Sequence, residues 1–242
     1  MRKLKKDGVL RRDKIILEAS SGNTGIGLAL VGRLKRYKVK IVMPEDASEE
    51  RKRIIESYGA ELVLTPAEDG VDGAQDRANE MALDEKYFMP NQYVNEANVI
   101  AHYGGTGKEI LGQVPDVTHF VAGMGTGGTL MGVGKRLKEF NSGIKVIGAE
   151  PHKDSKIPGL KNMEVSYVPE IFDRGQIDET LIVAGEDAIE MSDLLFRKEG
   201  LFVGPSSGAA MSAAMKMSEK IAKGNIVVLF PDGGERYLAK KV

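Results

Sequence analysis

The 242 residues carry 34 basic and 35 acidic side chains, and this balance excludes the charge footprint of a nucleic-acid binder or of a polybasic membrane attachment. With no cysteine, disulfides, zinc-thiolate sites and thiol nucleophiles are excluded, and His102, His119 and His152 show no metal-ligand spacing. The charged stretch Met1 to Asp13 lacks a signal-peptide core and no apolar run reaches membrane-spanning length, so a soluble cytoplasmic protein of one or two α/β domains is expected.

In chain order, Lys14 to Glu18 reads as a strand and runs into Ser20-Ser21-Gly22-Asn23-Thr24-Gly25, which opens a helix over Thr24 to Tyr37. Hydroxyls, an amide and glycines at a helix N-terminus surround unpaired N–H groups and a partial positive charge, the build of a carboxylate or phosphate site; an ordinary capped βα turn is the plainer reading. A strand over Val39 to Met43 follows, then a helix over Ser48 to Ser57. Asp46 to Glu50 supply a candidate cap and acidic first turn to that helix, and Gly59 ends it. Glu61 to Leu64 and Gly73 to Leu83 continue the alternation as strand and helix. The looser region Tyr87 to Asn98 reads as a domain crossing, with Asn91, Gln92 and Asn95 as a polar pocket wall. Beyond it, Thr106 with Glu109 reads as a capping box.

Thr118 to Ala122 is the next strand, and Gly123 to Thr129 form a second glycine-rich turn before a helix over Gly128 to Phe140. Two readings compete there. Gly123, Gly125 and Gly128 satisfy G-x-G-x-x-G, and Glu150 closes the following strand, Lys145 to Ala149, as a nicotinamide dinucleotide (NAD) oxidoreductase would require. Thr126 and Thr129 instead suit a compact terminal phosphate, which needs more donors than a bridging pyrophosphate. The local pattern leaves both open. His152 to Asp178 has weak periodicity and reads as a long surface excursion. Helices over Glu186 to Glu199 and Ser206 to Lys223 and a strand over Asn225 to Phe230 complete the chain. Ser206 and Ser207 serve as caps or ligands, and Pro231-Asp232-Gly233-Gly234 is a turn. Alternation of this kind implies two three-layer αβα domains with parallel sheets, divided as a smaller 1–97 and a larger 98–242.

Taken together and in this order, the segments resemble the cysteine synthase family of pyridoxal-phosphate enzymes, which have the tryptophan-synthase-β-like (fold type II) architecture. Its T-S-G-N-T-G is similar to Ser20 to Gly25, its Q-F-x-N-x-x-N to Gln92 to Asn98, and its H-Y-x-G-T-G to His102 to Gly107. Its G-T-G-G-T is similar to Gly125 to Thr129, its G-x-S-S-G-A to Gly204 to Ala209, and its P-D-G-G-E-R-Y to Pro231 to Tyr237. Ile157 to Leu160 and Tyr167 to Asp173 look most like the B-type isoform.

The resemblance implies that Gly125, Thr126, Gly127, Gly128 and Thr129 hold the cofactor phosphate, which favours the phosphate reading of that turn over the nicotinamide one. It places Asn23 on the cofactor's ring hydroxyl and Ser206 on the ring nitrogen, at the C-terminal ends of parallel strands. Ser20, Ser21, Gly22, Asn23, Thr24 and Gln92 would take the amino acid's α-carboxylate. The implied reaction eliminates acetate from O-acetylserine and adds sulfide to give cysteine, in a homodimer. The family's cofactor lysine sits in an S-x-K-D-R motif upstream of the position of Asn23, and counting back passes Met1. The chain alone is therefore expected to be inactive, with Lys3, Lys5 and Lys6 on the wrong helical turns to substitute. A non-catalytic homologue that binds an amino acid or a partner is the alternative from another class.

Overall fold

The computed structural model describes residues 10–240. Lys3, Lys5 and Lys6 lie outside them. The described residues up to Gln92, joined by those from Arg236 onward, form one compact unit, and Tyr93–Glu235 form a second.

The first unit runs β1 (Ile15–Ala19), α1 (Asn23–Lys35), β2 (Lys38–Pro44), α2 (Glu49–Ser57), β3 (Glu61–Thr65), α3 (Gly70–Met81) and β4 (Tyr87–Phe88). All its strands pair in parallel in the order β3-β2-β1-β4, with Ile15 opposite Lys38 on one side and Tyr87 on the other. Successive side chains of a strand point to opposite faces, so a central parallel strand covered on both sides reads as a continuous apolar run. In β1, Ile16 packs with Ile26, Ile41 and Ile55, while Leu17 and Ala19 pack with Val42, Ala74 and Ala78.

The second unit contains α4 (Ala97–Gly104), α5 (Thr106–Gln113), β5 (His119–Gly123), α6 (Gly128–Phe140), β6 (Lys145–Pro151), β7 (Glu179–Val183), α7 (Gly185–Glu199), α8 (Pro205–Ser218) and β8 (Ile226–Val228). Its parallel sheet has the order β7-β6-β5-β8. Phe120 and Ala122 face Leu130, Val133 and Leu137 of α6, whereas Val121 packs with Ile147, Ala209 and Ala213 on the other face.

Four elements are absent from the sequence expectation: β4, α4, α5 and β7. Three local expectations need correction. Residues 152–178 are not simply a surface excursion, because Ile157, Met163 and Ile171 are buried and the Lys161 N–H donates to the Met124 carbonyl. The acidic first turn of α2, Glu49 and Glu50, is present, but no side-chain cap forms: Ser48 stands at the start of the helix and its hydroxyl donates to the Arg236 carbonyl. The hydroxyl of Thr106 pairs with His102 Nδ1, so no capping box forms with Glu109.

Candidate functional site

In an open parallel sheet, the crevice that takes a ligand lies beyond the carboxyl ends of two adjacent strands whose connections leave in opposite directions. The first sheet has this reversal between β1 and β4, and the second between β5 and β8. The loops at these four strand ends are Ser20 to Gly22, the residues leading to Gln92, Gly123 to Gly127, and Leu229 to Asp232.

In the first unit, Ser20 is 7% exposed and its Oγ accepts the N–H groups of Gly22 and Gly25 at 3.2 and 3.1 Å. The serine therefore ties down the first turn of α1 from within. Gln92, arriving from β4, closes the loop from the other side: Nε2 donates to the Ala19 carbonyl at 2.9 Å and Oε1 accepts from Thr24 Oγ1 at 2.7 Å. Its backbone N–H meets Glu18 Oε1 at 3.4 Å. Arg51, in α2, donates to the Ser21 carbonyl at 2.9 Å, and Arg236 donates to Asn23 Oδ1. The arrangement thus brings Ser20, Ser21, Gly22, Asn23, Thr24 and Gln92 together around one helix N-terminus.

Glu18 is fully buried in β1, and its Oε2 has no hydrogen-bond partner. Burial pushes its carboxyl up to about 7, against the lowering effect of backbone hydrogen bonds at Gln92, Asn91 and Ala19.

In the second unit, α4 orients the glycine loop. Asn98 Nδ2 donates to Thr126 Oγ1 at 3.0 Å, and Thr126 Oγ1 also receives the Gly128 N–H at 3.4 Å. His102 Nε2 lies 3.3 Å from Thr129 Oγ1, and its Nδ1 lies 3.0 Å from Thr106 Oγ1. Burial lowers the pKa of His102, which favours the neutral imidazole, with one ring nitrogen donating and the other accepting. Gly127 has φ +84°, a conformation that L side chains rarely adopt, and a Cβ on Gly128 would stand 2.1 Å from Asn98 Oδ1. The loop therefore brings threonine hydroxyls and the N–H groups of the α6 N-terminus together, with glycines where Phe172 and Asn98 leave no room for a Cβ. This donor set suits a phosphate dianion.

Ser206, in the first turn of α8, is 3% exposed and faces Gly159. Glu150 is also buried, but it accepts the Met163 N–H at 2.7 Å and the Arg174 guanidinium at 3.1 Å, so its carboxylate is spent inside the unit and not offered to a ribose. Sequence reasoning gave no role to Arg51, Arg236 or Glu18. A lone acid in an apolar strand is a readable signal for Glu18; the two arginines act through partners far away in the chain.

Two parallel α/β sheets, each with a glycine-rich loop at its strand reversal, are the architecture of the pyridoxal-phosphate enzymes of fold type II. The family model described as "Pyridoxal-phosphate dependent enzyme" matches residues 1–232. Cysteine synthase of Aquifex aeolicus is 46% identical over 241 residues, covering 96% of this chain and 74% of that relative. Cysteine synthase B of Escherichia coli is 38% identical, covering 98% and 78%. Among solved structures, a hydrogen sulfide-producing enzyme of Fusobacterium nucleatum superposes with TM-score 0.93 at 39% identity, covering 98% of this chain and 84% of that one. Cysteine synthase of Entamoeba histolytica gives 0.89 at 36%, covering 98% and 74%. The chain belongs to the cysteine synthase family of pyridoxal-phosphate dependent enzymes, whose cofactor is pyridoxal phosphate. Among the described residues, no helix is long and apolar enough to cross a membrane.

Proposed function

We propose that the protein serves β-replacement on an activated serine, converting O-acetylserine and sulfide to cysteine and acetate. In this reading Gly125, Thr126, Gly127, Gly128 and Thr129 hold the cofactor phosphate, Asn23 meets the ring hydroxyl and Ser206 meets the ring nitrogen. Ser20, Ser21, Gly22, Thr24 and Gln92 form the loop for the substrate carboxylate, and a cytoplasmic homodimer completes the reading by resemblance. The observation that supports it most is the support of both threonine hydroxyls of the glycine loop by Asn98 and His102.

Bound pyridoxal phosphate supplies an electron sink for charge developing at the substrate Cα. The chain's own groups set what that sink does. A serine hydroxyl opposite the ring nitrogen does not favour a protonated ring, as a carboxylate would, and this suits elimination over transamination. Thr24 and Gln92 are already hydrogen-bonded to each other, so the carboxylate loop is preorganised before substrate arrives. With Ser20 Oγ turned inward to Gly22 and Gly25, backbone N–H groups of the first turn are left as the main donors to a carboxylate.

Equilibrium titration tests the reading. The purified chain is expected to bind pyridoxal phosphate in preference to NAD, and Thr126→Val should weaken that binding about tenfold, the loss of one hydrogen bond to a charged group. Borohydride reduction with peptide mapping then reports which amine, if any, carries the cofactor, and cysteine formation from O-acetylserine and sulfide reports turnover. Tighter binding of NAD, abolished by Glu150→Gln, would replace this reading with the oxidoreductase one.

A further inference from the structure

Glu18 stands in β1 two residues before Ser20, and none of its surface is exposed. One carboxyl oxygen, Oε1, lies 3.4 Å from the Gln92 backbone nitrogen; the other, Oε2, has no hydrogen-bond partner. The turn that brings Gln92 there includes Asn91, whose φ of +51° lies in the left-handed region that asparagine enters more readily than most residues. The side chain of the same Gln92 closes the Ser20 to Thr24 loop, from the Ala19 carbonyl to Thr24 Oγ1. A single residue thus joins the buried acid to the helix-entry loop, and all of these groups belong to one compact unit.

Among the described residues, no cation pairs with this acid. Lys40 of the adjacent β2 pairs with Glu61 at 3.0 Å, and the Tyr87 ring of β4 lies beside Lys40 and Lys86. From α2, Arg51 reaches the Ser21 carbonyl and the Tyr237 hydroxyl, and Arg236 reaches Asn23 Oδ1. Arg33 and Lys35 stand in the last turn of α1, at the end away from the loop. The residues that α1 and α3 bury, Ile26 and Ala29 on one and Ala74, Gln75 and Ala78 on the other, bring no charge to the strand. The Glu18 carboxyl is accordingly pushed up to about 7 by burial, against the backbone N–H groups of Gln92, Asn91 and Ala19 and with no charged side chain among the causes.

A helix N-terminus takes an anion through its unpaired N–H groups and partial positive charge. A carboxylate buried beside that terminus without a counter-ion opposes a second negative charge, and the opposition is stronger in a medium of low dielectric than in water. A neutral carboxyl does not oppose it. A proton on Oε2 leaves Oε1 to accept the Gln92 N–H, so the loop keeps its support in the neutral state.

We propose that the Ser20 to Gly25 loop binds a carboxylate together with one proton, which passes from solvent to Oε2 of Glu18. The proposal rests on the carboxylate-loop reading and adds to it the proton that accompanies the ligand. By linkage the reverse holds as well: a bound carboxylate makes Glu18 harder to ionise.

The test uses acetate as the probe carboxylate, on the purified chain at constant ionic strength. Amide chemical shifts of Ser21 to Thr24 report binding, and the side-chain carboxyl carbon of Glu18 reports protonation. Acetate affinity is expected to fall about tenfold as pH rises from about 6 to about 9, and the Glu18 midpoint to rise by about one pH unit in saturating acetate, the same coupling read from the other side. Glu18→Gln should hold the low-pH affinity across that range. A merely structural role for Glu18 would change Tm with pH and leave acetate affinity alone. Affinity independent of pH, an unmoved Glu18 midpoint, or a slope retained by Glu18→Gln would overturn the proposal and leave the loop a carboxylate site. The midpoint is read on the wild-type chain, so the decision stands even where Glu18→Gln fails to fold. Acetate that shifts none of Ser21 to Thr24 at any pH would remove the carboxylate-loop reading, and the proposal with it.

Discussion

Glu18 and Glu150 are both acids inside buried parallel strands, and their surroundings differ. Glu150 accepts from Arg174 and from a backbone N–H, whereas Glu18 receives the Gln92 N–H on one oxygen and keeps the other without a hydrogen-bond partner. Burial therefore raises the Glu18 carboxyl from its usual 4.5 to about 7. In the unfolded chain it ionises near the usual value, so the folded state binds the extra proton between the two. Stability from this group is complete below about 4.5 and is lost as pH rises through about 7. The displacement corresponds to about 3 kcal/mol at most. Glu18→Gln should flatten the fall in Tm between acid and mildly alkaline pH, and parallel slopes for the two proteins would contradict the assignment. In the sequence, Glu18 is a visible anomaly in an apolar run. Burial decides its state, and most of the donors that oppose the rise come from the segment around Gln92, which no local pattern reveals. For the same reason the glycine loop was legible to the residue, while the supports behind its threonines, Asn98 and His102, were visible only as parts of family motifs.

At the scale of elements, strong periodicity was readable and short elements were not. The helices α1, α2, α6 and α7 lie within a few residues of their expected spans, α2, α6 and α7 because each carries an apolar stripe over at least two turns and α1 because its apolar run follows a glycine-rich entry. The helices α4 and α5 have eight residues each and meet at Gly104-Gly105-Thr106, where glycine reads as a break. The edge strand β7 is only partly buried, and β4 has two residues, too few for any period. Pro231 to Gly234 read as a turn, and the 3-10 segment that follows, Gly234–Lys240, had no expected element, yet it anchors α2 through Arg51 and Tyr237. Tyr237→Phe removes an acceptor from a guanidinium that is 4% exposed and should cost about 1–2 kcal/mol in chemical denaturation. Arg51→Met removes the ties to Ser21 and Tyr237 together and should cost about 2–4 kcal/mol. A neutral result for both would mean that the segment rests on the unit without stabilising it.

Across the whole molecule, the two sheets repeat one strand order, three strands laid outward in sequence and the fourth returned to the far side of the first. The alternation of elements made two parallel sheets legible, but strand order was not, because β-branched runs carry no record of which neighbour they pair with. That order is what sets both glycine-rich loops at strand reversals. The return of Arg236 and Tyr237 to residues 213 and 186 positions earlier also bears on how the chain is made. A ribosome releases the strands and helices of the first unit long before the residues that fasten its Ser21 to Asn23 loop, so that unit waits for almost the whole chain before its last ties can close. Stalled nascent chains ending before Arg236 should show faster amide exchange in Ser20 to Thr24 and α2 than released protein. Equal protection in the two would mean that the loop sets without its C-terminal partner. Vectorial synthesis thus makes the Ser20 to Thr24 loop among the last parts of the molecule to become native.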